Sequence, residues 1–308
     1  MVAVNPRQMT LFNYKDYDLV SSFTAEAQQL PSQFLEELRR DFKSPYTYVT
    51  RMTKSGPVVE VEVYPVFRGK DAPKGIVAKE YKAQKKLNDL NSQREFVRYF
   101  NTNFGLGDLV VHLTYDDAHL PESKNIERLK KDWDNFLKAL KRWSRKKGIP
   151  MPVYMYVLGV GGYGEKRHHI HAVFKTALDR DLIESLWKKG TAKTERLQRQ
   201  QATLGFTGKA EYLAKHIERY KKTKFRLKGE RIWGKSNGLK KPTVSMNRTK
   251  FKSKKKVEAL YANQGDLKEI FEKAYPNLEY KEGTAKANEH NGFVYVRVVM
   301  EPRAVRRI

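Results

Sequence analysis

Apolar and polar positions alternate most clearly between residues 106 and 222. "LVVHLTY" (109–115) is short, rich in β-branched residues and closed by Asp116 and Asp117, which predicts a strand. Ile126, Leu129, Trp133, Phe136, Leu137, Leu140 and Trp143 then recur at helical spacing, behind a Ser123 cap and ahead of Gly148 and Pro150. That stripe, with its two tryptophans, predicts a long helix packed on a core. "PVYMYVL" (152–158) predicts a second strand. The Gly-rich turn "GVGGYGEKR" leads into a third, "RHHIHAVF" (167–174), and its shortness predicts an antiparallel hairpin. A helix is expected around 181–189, then a polar stretch, then a helix over 208–222. Outside this region "VVEVEVYPVF" (58–67) alternates like a strand, "AKEYKAQKKLNDLNSQREFVRYF" (78–100) reads as a basic helix, and "DLKEIFEKAY" and "GFVYVRVVM" close the chain as a helix and a strand.

Strands and helices in this order predict an α+β fold, an antiparallel sheet with flanking helices. The expected division is a basic N-terminal region (1–105), a central domain (106–243) and a C-terminal extension (244–308).

Charge narrows the function. The 308 residues carry 61 Lys and Arg against 35 Asp and Glu, a formal +26, with 40% apolar residues that argue for a folded protein. A field of that sign attracts polyanions, nucleic acid first, because each phosphate contact releases a counterion. No cysteine is present, which excludes disulfides and Cys-based zinc sites. No apolar signal core opens the chain and no run approaches the about 18 apolar residues of a membrane span, so a cytoplasmic protein without a membrane partner is expected.

Three of the seven histidines fall within four positions. On an extended strand His169 and His171 share a face, while His168 points the other way. Two imidazoles so placed can reach one divalent ion, or can form a satisfied network in the core; His168 fits a structural role or a phosphate contact. In "TGKAEYLAKHIERY" (207–220) Leu213, Ile217 and Tyr220 form the buried stripe, and Tyr212, Lys215, His216 and Arg219 lie on another face. A phenol ionises near pH 10, so attack on phosphorus calls for nearby positive charge and neutralised phosphoryl oxygens. Lys215 could supply the charge. A half-exposed surface tyrosine is the plainer reading of Tyr212.

"VVHLTYDD", "HIH" (169–171) and "YLAK" (212–215), in that order, resemble the motifs of the HUH endonucleases, in particular the rolling-circle replication initiators of phages and plasmids. "SNGLKKP" (236–242) is similar to a segment that follows the nucleophile helix in phage-type initiators. The resemblance implies a Mg²⁺ or Mn²⁺ ion held by His169 and His171, attack by Tyr212 on single-stranded origin DNA, and a 5′-phosphotyrosine with a free 3′-OH, with Lys215 positioning the phosphate. It further implies a third metal ligand, for which Glu165 is the first choice and Gln200 or Gln201 the alternatives. DNA contacts are expected at Thr114, Arg167, His168, His216, Arg219, Lys240 and Lys241. No second tyrosine follows Lys215 on the same face, which predicts a one-tyrosine enzyme. No GxxxxGK[ST] motif occurs, so unwinding and synthesis are assigned to a host helicase and polymerase. A conjugative relaxase or single-strand transposase shares this chemistry; a nuclease releasing free ends, or a non-catalytic nucleic-acid-binding protein, does not.

Overall fold

A computed structural model describes residues 31–40, 46–67, 77–122, 126–160, 167–176, 179–199, 204–221, 230–288 and 292–303. Along the chain run α1 (Ser32–Arg40), β1 (Tyr46–Ser55), β2 (Val58–Phe67), α2 (Val77–Asn103), β3 (Leu109–Thr114), α3 (Ile126–Lys146), β4 (Tyr154–Gly159), β5 (His169–Phe174), α4 (Arg180–Leu186), β6 (Ala192–Arg196), α5 (Thr207–Lys221), β7 (Trp233–Lys235), β8 (Thr243–Asn247), α6 (Lys254–Ala262), α7 (Leu267–Ala274), β9 (Leu278–Ala287) and β10 (Val294–Pro302). These described elements form an α+β fold built on two five-stranded antiparallel sheets. Two compact units result, one from residues 1–91 with 243–308, the other from 92–242.

The unit formed by 92–242 holds the sheet β6-β3-β5-β4-β7. The hairpin expected around the Gly-rich turn is present, with Gly159 opposite His169 and Tyr154 opposite Phe174. Trp133 of α3 packs its ring 4.8 Å from Tyr156 and 6.2 Å from Phe174, covering one face. On the other face the buried stripe Ala210, Leu213 and Ile217 of α5 joins the same core, and Phe96 of α2 meets Trp233 edge-on at 5.5 Å. Layers on both faces explain why all six residues of β5, polar ones included, are buried. The polar stretch after α4 turned out to hold β6, whose Thr194 hydroxyl donates to Glu184 at 2.6 Å and accepts from Arg180 at 2.9 Å. An edge strand needs only one ladder, so its sequence lacks the apolar run of a central one. Ser123, the expected helix cap, lies outside the described residues.

The other unit has the sheet β8-β1-β2-β10-β9. Stretches expected to be separate termini pair here: β1 takes β8 on one side and β2 on the other, and β2 pairs in turn with β10. Val59, Val61 and Val63 of β2 face a core shared with Val257 and Leu260 of α6 and Phe271 of α7. Alternate positions of β2 carry Glu60 and Glu62, each bonded at 2.8 Å to an arginine of a neighbouring strand, Arg297 and Arg51.

Candidate metal centre and nucleophile helix

β5 is the middle strand of its sheet, so each residue on it has a cross-strand partner on both sides. His171 lies directly across from His112 of β3, and His169 from Thr114. Directly opposed residues point to the same face, which stacks the His112 and His171 rings 4.3 Å apart, 21° from parallel. The His169 ring stands edge-on at 5.1 Å from His112 and 4.9 Å from His171. One ligand nitrogen from each of the three lies within 4.8 Å of the others.

The protonation states suit a cation. Burial, the largest cause, and charges at His169, Lys193 and Lys209 push the His112 imidazolium down to about 4. Burial lowers His169 as well, against the opposing pull of the Arg167 carbonyl, and lowers His171 with help from the neighbouring imidazoles. All three are therefore neutral near pH 7, with lone pairs to offer. The His169 Nδ1–H donates to the Arg167 carbonyl at 3.0 Å, which leaves Nε2 as the acceptor. His112 Nε2 is buried with no hydrogen-bond partner among the described residues, a state that is costly unless something else occupies its lone pair. A divalent cation fits that donor set.

Gly159 completes the cradle. A Cβ at this position would lie 2.1 Å from His169 Nε2 and 2.4 Å from its Cε1, so the ring occupies the space a side chain would need. The β4 position that the resemblance suggested as a source of the third ligand is thus empty for a steric reason. We expect Gly159→Ala to swing His169 aside and lower Mn²⁺ affinity and DNA cleavage together, on the order of 10²-fold. A metal titration of the folded variant checks this; unchanged affinity means that the ring is held by something else.

α5 lies over this face and brings the tyrosine. Tyr212 is 51% exposed, and its ring centroid stands 6.0 Å from His171, so the phenol is both accessible and beside the imidazoles. Lys215 is exposed, as is Arg219. His216 requires a correction. One turn after Tyr212 it was expected to contact DNA, but it is 4% exposed, with its ring 4.6 Å from His171 and 4.9 Å from His169. The helix turns this position inward between Leu213 and Ile217, and burial, with charges at His169 and His112, lowers its basicity to about 4. His168 is likewise buried and donates through Nε2 to the Glu122 carbonyl at 3.0 Å, the structural alternative of its two readings.

Thr114 donates to the Thr191 carbonyl at 3.0 Å, and Arg167 pairs with Asp117. Lys240 and Lys241 are exposed, on a turn pinned by Asn103, which accepts from Lys240 N at 2.7 Å and donates to its carbonyl at 2.9 Å. Glu165, Gln200 and Gln201 lie outside the described residues.

Two further residues belong to the site. His112 was readable as a strand residue, since alternation puts it on the face of Val110 and Thr114, but nothing local says that β3 neighbours β5. Lys209 sits one turn before Tyr212, with its ammonium 5.6 Å above the phenol ring, and pairs with Glu195 of β6. Its charge also acts on His112 and His171, so it stands between tyrosine and triad.

A family model described as a replication-associated protein of the ORF2 type matches residues 108–222, the stretch that carries β3 through α5. Over those residues the chain is similar to replication-associated proteins. No curated protein and no solved structure matches it. No helix among the described residues is long and apolar enough to cross a membrane.

Proposed function

We propose that this protein nicks and rejoins single-stranded DNA at a replication origin and thereby initiates rolling-circle replication. The observation that carries the reading is an exposed phenol, Tyr212, 6.0 Å from a buried cluster of neutral imidazoles. Simple DNA binding needs neither group.

His112, His169 and His171 would hold the divalent ion. When bound, it supplies charge neutralisation at the phosphoryl oxygens. Three imidazoles suit Mn²⁺ better than Mg²⁺, whose preference is for oxygen ligands. The chain's own groups do the rest. Tyr212 Oη forms a bond to phosphorus as the bond from phosphorus to the 3′ oxygen breaks. The phenol proton passes to water, and the departing 3′ oxygen takes a proton from water. The products are a 5′-phosphotyrosine on the protein and a free 3′-OH. One phosphoester replaces another, so the reverse attack rejoins the strand without a nucleoside triphosphate. The 3′-OH is a primer for a host polymerase, and strand separation falls to a host helicase.

The test is incubation with Mn²⁺ and single-stranded DNA tiled across the replicon that encodes the protein. An SDS-resistant adduct, lost with EDTA and mapped by mass spectrometry to the peptide containing Tyr212, supports the reading. Free ends without an adduct indicate hydrolysis and sink it. Within the same assay, Lys209→Met should slow single-turnover cleavage about tenfold and Lys209→Arg should recover most of the rate, the modest size reflecting neutralisation by Glu195. Equal rates in all three proteins would assign Lys209 to the ion pair alone.

A further inference from the structure

Between β8 and the first turn of α6 the chain reads Arg-Thr-Lys-Phe-Lys-Ser-Lys-Lys-Lys (248–256), six cations with no acidic residue. It lies outside the residues matched by the replication-associated family and in the other unit. All six cationic residues are exposed.

The backbone beneath them is held in place. Asn247 Oδ1 accepts from the amides of Thr249 and Lys250, each at 2.9 Å, which closes the turn. Phe251 points inward and stacks on Phe271 with ring centroids 4.7 Å apart. Ser253 caps α6 through the Lys256 amide at 3.4 Å. Lys250 and Lys254 have their ammonium groups 3.9 and 3.8 Å over the rings of Tyr275 and Tyr46. Arg248, Lys252, Lys255 and Lys256 have no carboxylate partner among the described residues; Glu258, the acid of α6, pairs with Arg39 at 2.7 Å.

Folding does not account for these charges. Lys254, Lys255 and Lys256 fill the first turn of α6, the end of a helix where cations are disfavoured. Four unpaired cations on one short turn also repel one another. A rule of local stability broken in one place marks a functional surface, and an external polyanion removes both conflicts.

We propose that the surface formed by residues 248–256 binds the phosphate backbone of duplex DNA. The surface is all cation: the aromatic rings nearby are buried or covered by lysines, so no platform exists for stacking the bases of a single strand. Duplex DNA presents one charge per about 1.7 Å of axis and is read here without regard to sequence. This unit would then grip double-stranded DNA while the Tyr212 site handles a single strand. The binding does not depend on the nicking reaction, and failure of the adduct assay leaves it standing.

The experiment uses the full chain with Arg248, Lys252, Lys255 and Lys256 all changed to Gln, leaving Lys250 and Lys254 on their rings. Anisotropy titrations with a short blunt duplex of arbitrary sequence, at several salt concentrations, give affinity and salt dependence. The variant should bind duplex about tenfold or more weakly at about 0.1 M salt, and its slope of log K against log salt should be shallower by about 3. Affinity for a short single strand and adduct formation on it should stay unchanged. An unaltered duplex affinity and slope overturn the proposal, as does an equal loss on single strands. Should the fourfold variant unfold at lower temperature, the pair Lys252→Gln and Lys255→Gln, with about half the slope change, decides instead.

Discussion

Tyr212→Phe should eliminate the covalent protein–DNA adduct. Only one oxygen is removed. The ring keeps its place 6.0 Å from His171 and beneath Lys209, and a half-exposed helix position tolerates the change without a cavity or a buried orphan. DNA affinity should therefore hold, while single-turnover cleavage falls on the order of 10⁴-fold or more, as expected when the nucleophile of a covalent mechanism is deleted. Denaturing gels of protein incubated with labelled single strands and Mn²⁺ measure this directly. An adduct that persists in the Phe variant places the attacking group elsewhere.

The second large effect is expected at His112. Changing it to Ala takes away one of three lone pairs and also the ring that stacks on His171 at 4.3 Å, so loss of activity alone would be ambiguous. His112→Phe resolves the ambiguity, because it keeps a stacked ring of similar size and offers no lone pair. Both variants should lose Mn²⁺ binding, followed by electron paramagnetic resonance, and cleavage should drop about 10²-fold or more, the scale of charge stabilisation a metal provides. Wild-type cleavage in the Phe variant would reduce His112 to packing and return the triad to a pair.

Each of these experiments rests on a residue whose visibility in the sequence differed. Tyr212 was readable, because helical spacing separates its position from the buried stripe Leu213, Ile217 and Tyr220, and the structure has that stripe inside and the phenol out. His169 and His171 were readable because a strand alternates. His216 was misread by the same helical logic: it borders the buried stripe, and the neighbours that draw it inward belong to β5, some 45 residues earlier in the chain. His112 could be assigned to a face but not to a partner, since strand order is a non-local property. Gly159 looked like a missing ligand until the His169 ring was seen lying where its Cβ would be.

Periodicity along the chain sufficed for the α+β class, the long helix α3, the β4–β5 hairpin and the faces on which the imidazoles and the phenol stand, because those features depend on residues within one or two turns of each other. Pairing between β3 and β5, the union of β1 and β2 with β8 and β10 in one sheet, and the convergence of His112, Lys209 and Tyr212 were decided by tertiary structure alone. Their cause is burial and hydrogen bonding between segments far apart in sequence, for which no local pattern carries a record of the partner.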